Sequence, residues 1–375
     1  MKKLLTCFAL MAFVTCGIAQ SLVLPPSGNN QKAKVIQNIG PVEISIAYSS
    51  PHVHTAKGDD RTGHIWGELV PYSFLNQGFG FNPAPWRAGA NENTVVKFSH
   101  DVKIEGKDLK AGTYALFLVP AKEGPWTWIF STNSTSWGSF FYNQNEDALR
   151  VDVTPKDVSF TEYLTYGFDD RLPNSATAFV QWENKRIPFK IEVSDINNIY
   201  VSIIRNQLRS TVGFDYRNYS QAAIFCAQNK INLEEALKWA NRASEVTFGG
   251  REEFGTLQAK ADVLRAMGND TDADATMDKA VRLPGSDVTT VHQYGRSLLN
   301  AGKNEKAMEI FKYNAQKNPT DKFTPNVGLA RGYTALGDKK NALKYWEEAI
   351  KNIPENQKPF IKTYQAEVDK LKTGK

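Results

Sequence analysis

Cysteine, methionine and histidine are scarce in this sequence, with 3, 5 and 5 residues among 375. So few thiols cannot build a disulfide framework, and stability has to come from packing. Nowhere do the ~18 apolar residues that a membrane-crossing helix needs run together. Charge of one sign is lacking as well: 45 basic residues face 40 acidic ones, a net +5. That balance excludes a nucleic-acid-coating surface, so no nucleic-acid partner is expected. There is no phosphate-cradling Gly-Lys-Ser/Thr loop, no nucleophile elbow and no His-Glu-x-x-His zinc helix. No cofactor is expected, and no ready-made motif declares a reaction. Aromatic residues are what the chain does have: 8 Trp, 14 Tyr and 21 Phe in a composition 41% hydrophobic. At this length the chain suits two domains, each with a sizeable core.

Residues 1–19 read as an export signal. Lys2 and Lys3 make a charged start, Leu4 to Val14 an apolar stretch, and Gly17-Ile18-Ala19 puts small residues before a cleavage point. A lipoprotein signal with Cys16 acylated is the rival reading, but Thr15 is a poor residue to precede it. Cleavage after Ala19 removes Cys7 and Cys16 and leaves Cys226 alone. The expected address is the periplasm or outer envelope, or secretion.

From Pro41 to Val193 the chain has the period of two residues that strands with one buried face show. Val42, Ile44, Ile46 and Tyr48 alternate with Glu43, Ser45 and Ala47, and about eight similar short runs follow. Strands without helical patterns between them predict an antiparallel β-sandwich over residues 20–194. Two polar, glycine-rich stretches, Ser50 to Gly63 and Asn76 to Asn93, are long enough to be functional loops.

After Ser194 the period becomes 3.6. Ile196, Ile199, Tyr200, Ile203 and Ile204 form one apolar stripe, a linker helix within residues 195–214. Residues 215–375 then repeat. Gly268, Gly302 and Gly337 are spaced by 34 and 35 residues; each is followed by Ala273, Ala307 or Ala342, and then by Met277, Phe311 or Trp346. Pro284, Pro319 and Pro354 close the units, and the tail suits a capping helix. The spacing resembles the tetratricopeptide repeat, an α-helical solenoid of helix pairs, and implies a protein or peptide partner. This half carries 27 Lys and Arg against 21 Asp and Glu, compatible with an acidic peptide or with a solvated Lys-rich face.

A second resemblance covers the β half. Ser50-Pro51, Asp60-Arg61, Ile65-Trp66-Gly67, Leu69 to Tyr72, Pro85 to Glu92, Ala111 to Tyr114, Trp126 to Ile129, Trp137-Gly138 and Ala148 to Val151 resemble, in order, the bacterial family called domain of unknown function 2911. The resemblance runs over about residues 22–193. It implies a domain and no activity.

Candidate site residues concentrate in Trp86 to Glu92. Arg87 can clamp an anionic group bidentately, Asn91 offers a carboxamide, and Glu92 a base; Arg61 and Tyr72 flank the same region. Against this, Gly89 and Asn91 serve a turn, Arg87 and Glu92 pair with neighbours, and Trp86 is core. His52, His54 and His64 with Asp59 and Asp60 form a metal alternative, set against solvated loop histidines. Asp270, Asp272 and Asp274 imitate a calcium loop, but Ala275 and Val281 break it, and the acids suit a helix start. Trp126 and Trp128 share one strand face and are read as core in preference to a sugar-stacking platform. The expectation is an exported binding protein: a sandwich holding a small molecule or glycan, and repeats docking a polypeptide. The alternative is a hydrolase using Glu92 with Arg87 or a His-bound metal.

Overall fold

The computed structural model describes residues 29–55, 57–76 and 82–373. The export signal expected over residues 1–19 lies outside the described residues. Contacts divide the chain into two units, Met1–Ile196 and Asn197–Lys375.

In the first unit, β1 (Gln31–Ile39), β2 (Val42–Ser50), β5 (Val95–Phe98), β8 (Gly112–Val119), β9 (Trp126–Ser131) and β10 (Asp147–Val153) make a six-stranded antiparallel sheet in that order. A four-stranded sheet runs β11 (Lys156–Leu172), β12 (Ser175–Glu192), β6 (Val102–Ile104), β7 (Lys107–Leu109), and β3 (Leu75–Asn76) pairs with β4 (Pro83–Ala84). The two large sheets face each other through aromatic rings. Phe189 of β12 packs edge-on against Trp128 and Phe130 of β9, with centroids 5.3 and 5.5 Å apart, as sandwich cores require. The alternation seen in β2 has its physical consequence: Val42, Ile44 and Ile46 are fully buried, while Glu43 faces out. Trp126 and Trp128 are also buried, so this pair is core.

Two features of this unit differ from the sequence expectation. Pairing starts ten residues earlier than Pro41, with β1 held to β2 from Gln31↔Ser50 to Ile39↔Val42. As an edge strand it keeps Lys32 and Lys34 exposed and buries only Ile39 outright, so its alternation is weak. Two runs that alternate in the sequence, Ala176 to Trp182 and Ile187 to Val193, form one strand, β12, continuous through Glu183. That residue takes φ 52° where the register with β11 shifts, the mark of a bulge.

The second unit begins with α1 (Ile196–Gln207) and continues as helix pairs: α2 (Tyr216–Asn229) with α3 (Leu233–Ser244), α4 (Phe254–Ala266) with α5 (Asp270–Arg282), α6 (Val288–Asn300) with α7 (Asn304–Lys317), and α8 (Thr324–Ala335) with α9 (Lys339–Lys351). The helix α10 (Ile361–Thr373) follows. Ala273, Ala307 and Ala342 are completely buried, and Met277, Phe311 and Trp346 nearly so, as the repeat pattern demands. Gly295 of α6 stands where a side chain would strike the Phe311 ring, so its smallness sets the helix spacing. The α1 helix is packed within this unit: Val201 and Leu208 share a core cluster with α2 and α3, and Arg205 grips Glu235 through two bonds of 2.9 and 2.7 Å. Asp270 and Asp272 occupy the first turn of α5, capped by Asn269. Asp274 does more than complement the helix dipole, pairing with Arg265 at 3.2 Å and Lys303 at 2.7 Å.

Candidate functional site

The segment Trp86 to Glu92 is built as a rigid turn. Trp86 exchanges two backbone hydrogen bonds with Leu118 of β8, at 3.0 and 2.8 Å, which ties its start to the sheet. Ala88 then takes φ 50° and Asn91 φ 59°, left-handed conformations that cost energy in non-glycine residues. The carbonyl of Ala88 accepts from Tyr166 Oη at 2.8 Å and Thr94 Oγ1 at 3.1 Å, and the Ala90 N–H donates to Ser49 O at 3.2 Å. These bonds offset the strain and fix where the side chains leave the backbone.

A cavity of about 220 Å³ opens beside this turn. Pro51 and Arg61 come from the first long loop, Ala84 to Arg87 with Gly89 and Ala90 from the second, and Trp182 from β12. The two loops thus converge on one site. Arg87 is half-buried and donates from Nη1 to the Asn91 carbonyl at 3.3 Å; burial pushes its guanidinium below the usual arginine range. Its position depends on Gly138, whose φ is 57° and whose absent side chain would collide with the guanidinium. Ser139, the next residue, lines the cavity and donates to Pro85 O at 2.5 Å, locking the two segments together. In the wall, Trp86 stacks on Trp182 with centroids 6.2 Å apart, and behind them Trp66 meets Trp86, Trp126 and Trp182 within 6.2 Å.

Of the six residues that the sequence singled out, Arg61, Trp86 and Arg87 line the cavity, while Tyr72, Asn91 and Glu92 do not. Tyr72 lays its ring against the backbone of Gly67. Asn91 contributes its carbonyl to Arg87. Glu92 pairs with Lys32 of β1 at 2.7 Å and accepts from Ser49 Oγ at 3.4 Å; its side chain is 38% exposed. The Lys32 ammonium holds the Glu92 carboxyl below the usual carboxylate range, and partial burial opposes this without reversing it.

The three histidines have separate partners. His52 stacks on Tyr163, His64 contacts Glu68 at 3.0 Å, and His54 lies between Glu162 at 2.7 Å and Asp60 at 3.4 Å. Among the described residues no group of three or more His, Cys, Asp or Glu is arranged to hold a metal ion. Sequence reasoning missed Trp182 and Ser139 as site residues. Trp182 carries the alternation of a core strand, and Ser139 has no signal beyond its neighbour Trp137-Gly138. Trp137, Phe140 and Phe141, on the turn that holds Ser139, are exposed by 50, 40 and 53%.

In the helical unit a groove of about 370 Å³ is lined by Phe254, Gln258, Asp262 and Arg265 of α4 and by Thr289, Thr290, Gln293, Tyr294 and Ser297 of α6, with Met277 at its floor. Apolar atoms make up the larger part of its surface, and amide and hydroxyl groups of Gln258, Thr289, Thr290, Gln293 and Ser297 stand among them, the kind that hydrogen-bond a polypeptide backbone. No helix of the described residues is long and apolar enough to cross a membrane.

Residues 30–191 match the family model described as protein of unknown function (DUF2911). No curated protein matches the chain. Among solved structures, the chain is similar to YrrB, described as a TPR protein with an unusual peptide-binding site, at 18% identity and TM-score 0.29, covering 42% of this chain and 79% of that one. It is similar to MamA from residue 41 onward of Desulfovibrio magneticus RS-1, at 19% identity and TM-score 0.27, covering 42% and 88%. A MamA RS-1 double mutant gives 18% identity and TM-score 0.28, covering 42% and 93%. At those scores the likenesses carry no argument, and the repeats stand on their own spacing and packing. The chain carries the pattern of the DUF2911 family over residues 30–191, followed by helix pairs of tetratricopeptide spacing.

Proposed function

We propose that the protein is an exported, envelope-associated binding protein whose β unit holds a small ligand and whose repeats dock a polypeptide. The observation that carries this reading is the cavity itself: two long loops and β12 bring Arg61, Arg87, Trp86 and Trp182 around one space. Ligand sites are typically concave and carry a few placed polar groups that fix the ligand's orientation. The groove between α4 and α6, apolar with amide and hydroxyl groups along it, supports the docking half of the reading. Outside the cavity, beside the pocket-lining Ser139, the exposed rings of Trp137, Phe140 and Phe141 offer a stacking surface for a sugar portion of the ligand.

Thermal unfolding of the full chain against a panel of metabolites and oligosaccharides tests the pocket. At least one compound should raise the Tm, and Trp86→Ala should abolish the rise. No rise with any compound, or a rise that survives Trp86→Ala, sinks the reading. For the groove, binding to an array of random peptides should be lost in Thr290→Arg and kept in Trp86→Ala. The hydrolase alternative draws no support from Glu92. A residue held ionised by Lys32 and set outside the cavity is poorly placed to exchange protons with a substrate there.

A further inference from the structure

We infer that the β-unit cavity is an anion site, in which Arg61 and Arg87 take up a carboxylate or phosphate group. This rests on the pocket reading above and names the chemistry of its ligand.

The arginines of this unit fall into two groups by the partners they have. There are five from residue 20 to residue 196. Arg150 pairs with Asp147 at 2.6 Å, Arg186 pairs with Asp169, and Arg171 donates to the Phe168 carbonyl at 3.1 and 3.3 Å. Arg61 and Arg87, the two in the cavity wall, have no Asp or Glu within 4.0 Å among the described residues. The remaining residues of this unit, 1–28, 56 and 77–81, contain no Asp or Glu at all. No carboxylate from the rest of this unit's sequence can therefore serve as the missing partner.

A guanidinium has five N–H donors in a planar fork that matches a carboxylate or phosphate. Arg87 gives one of them to the Asn91 carbonyl at 3.3 Å. The rest of a half-buried cation without a counter-charge is an unfavourable arrangement that a bound anion would relieve. Holding it there is deliberate in structure: the strained turn at Ala88 and Asn91 aims the side chain, and Gly138 makes room for it. The loop bearing Arg61 is pinned in a comparable way. Glu183, a buried acid on β12, accepts from the Gly63 N–H at 2.5 Å and makes no ion pair with either arginine among the described residues. Trp182 in the same wall has an indole N–H with no acceptor among the described residues.

Size narrows the ligand further. At about 220 Å³ the cavity is smaller than the ~300–1,000 Å³ pockets that enclose a drug-sized ligand. That admits a phosphate or a short carboxylate group, while an oligosaccharide has to lie mostly outside. Trp86 and Trp182 then provide an apolar flank for whatever carbon skeleton the anion bears.

The test uses the full-length protein with three probes: inorganic phosphate, succinate and glucose. Binding is followed by tryptophan fluorescence and by calorimetric titration at low salt, since screening weakens such contacts. At least one of the two anions should bind saturably, and which one does identifies phosphate or carboxylate as the group taken. Arg87→Gln and Arg61→Gln should each weaken that binding about tenfold or more, and Arg87→Lys should restore part of it. Unchanged circular dichroism shows that the variants fold, and having two independent sites keeps the outcome readable if one does not. The inference is overturned if neither anion binds in the millimolar range, or if both Gln variants bind as well as the parent. Saturable glucose binding without anion binding overturns the anion site and leaves the pocket reading standing; a silent compound panel removes both.

Discussion

His292 on α6 is 7% exposed, and its Nδ1 has no hydrogen-bond partner among the described residues. Burial first, then the charges of Arg331 and Arg296, push its pKa down to about 4, while Asp321 pulls weakly the other way. The folded protein therefore holds it neutral. As pH falls below about 6.5 the unfolded chain takes up the proton first, so stability is complete above that pH and is lost progressively down to about pH 4. The full shift corresponds to at most about 3 kcal/mol. His292→Gln should flatten the pH dependence of urea-unfolding stability across this window; parallel curves for parent and variant would refute the assignment. Cys226 makes a similar case for burial. It is completely buried in α2, and burial pushes its thiol up to about 11. It should resist an aromatic disulfide reagent at about pH 8 until denaturant is added, because the thiolate is the reacting form. Prompt reaction in the native protein would show that the site opens.

At the scale of elements, the helical repeat was legible because each unit states its needs locally. The tight turn inside each helix pair places one residue in the left-handed region, so that the last carbonyls of the first helix find partners. Gly302, at φ 72°, does this between α6 and α7, where the Lys303 N–H reaches the Leu298 carbonyl at 2.9 Å. Between α2 and α3 the same position is Lys230, at φ 53°, with the Ile231 N–H on Cys226 O at 3.1 Å. The first pair therefore lacks the glycine that marks the others in sequence, although its turn is the same. Lys230→Gly should raise stability by several tenths to about 1 kcal/mol, and Gly302→Ala should lower it by about 1 to 2 kcal/mol. Thermal unfolding measures both, and an equal effect at the two positions would contradict this account. The β elements were less legible. A strand's partner is not written in its own residues, so β1, with two lysines facing water, gave only a faint alternation. The bulge at Glu183 likewise hid the continuity of β12.

The whole chain combines an export expectation, a sandwich and a repeat stack. If export proceeds as the first nineteen residues suggest, the mature protein isolated from the envelope starts at Gln20 and has lost Lys2 and Lys3. Mass spectrometry of its N-terminus checks this. A start at an acylated Cys16 would establish the lipoprotein route, and an intact Met1 in the cytoplasm would refute export.

The candidate site shows where local reading stops. Trp86 and Arg87 stood out because loop residues with a cation and an aromatic in succession invite a function, and Arg61 was placed with them from its flanking position alone. Glu92 stood out for the same reason, yet five residues after Arg87 the turn through Ala88 and Asn91 sends it to Lys32 on β1. Trp182 joins the cavity from some ninety residues away. Periodicity and spacing are properties of neighbours in the chain, and by themselves they determined the sandwich strands, the helix pairs and the positions of their buried residues. Which side chains share a cavity depends on turn conformations and on contacts between distant strands. Those follow from the energy of the packed whole, so only the tertiary structure decided that two arginines line one cavity with no acid paired to either among the described residues.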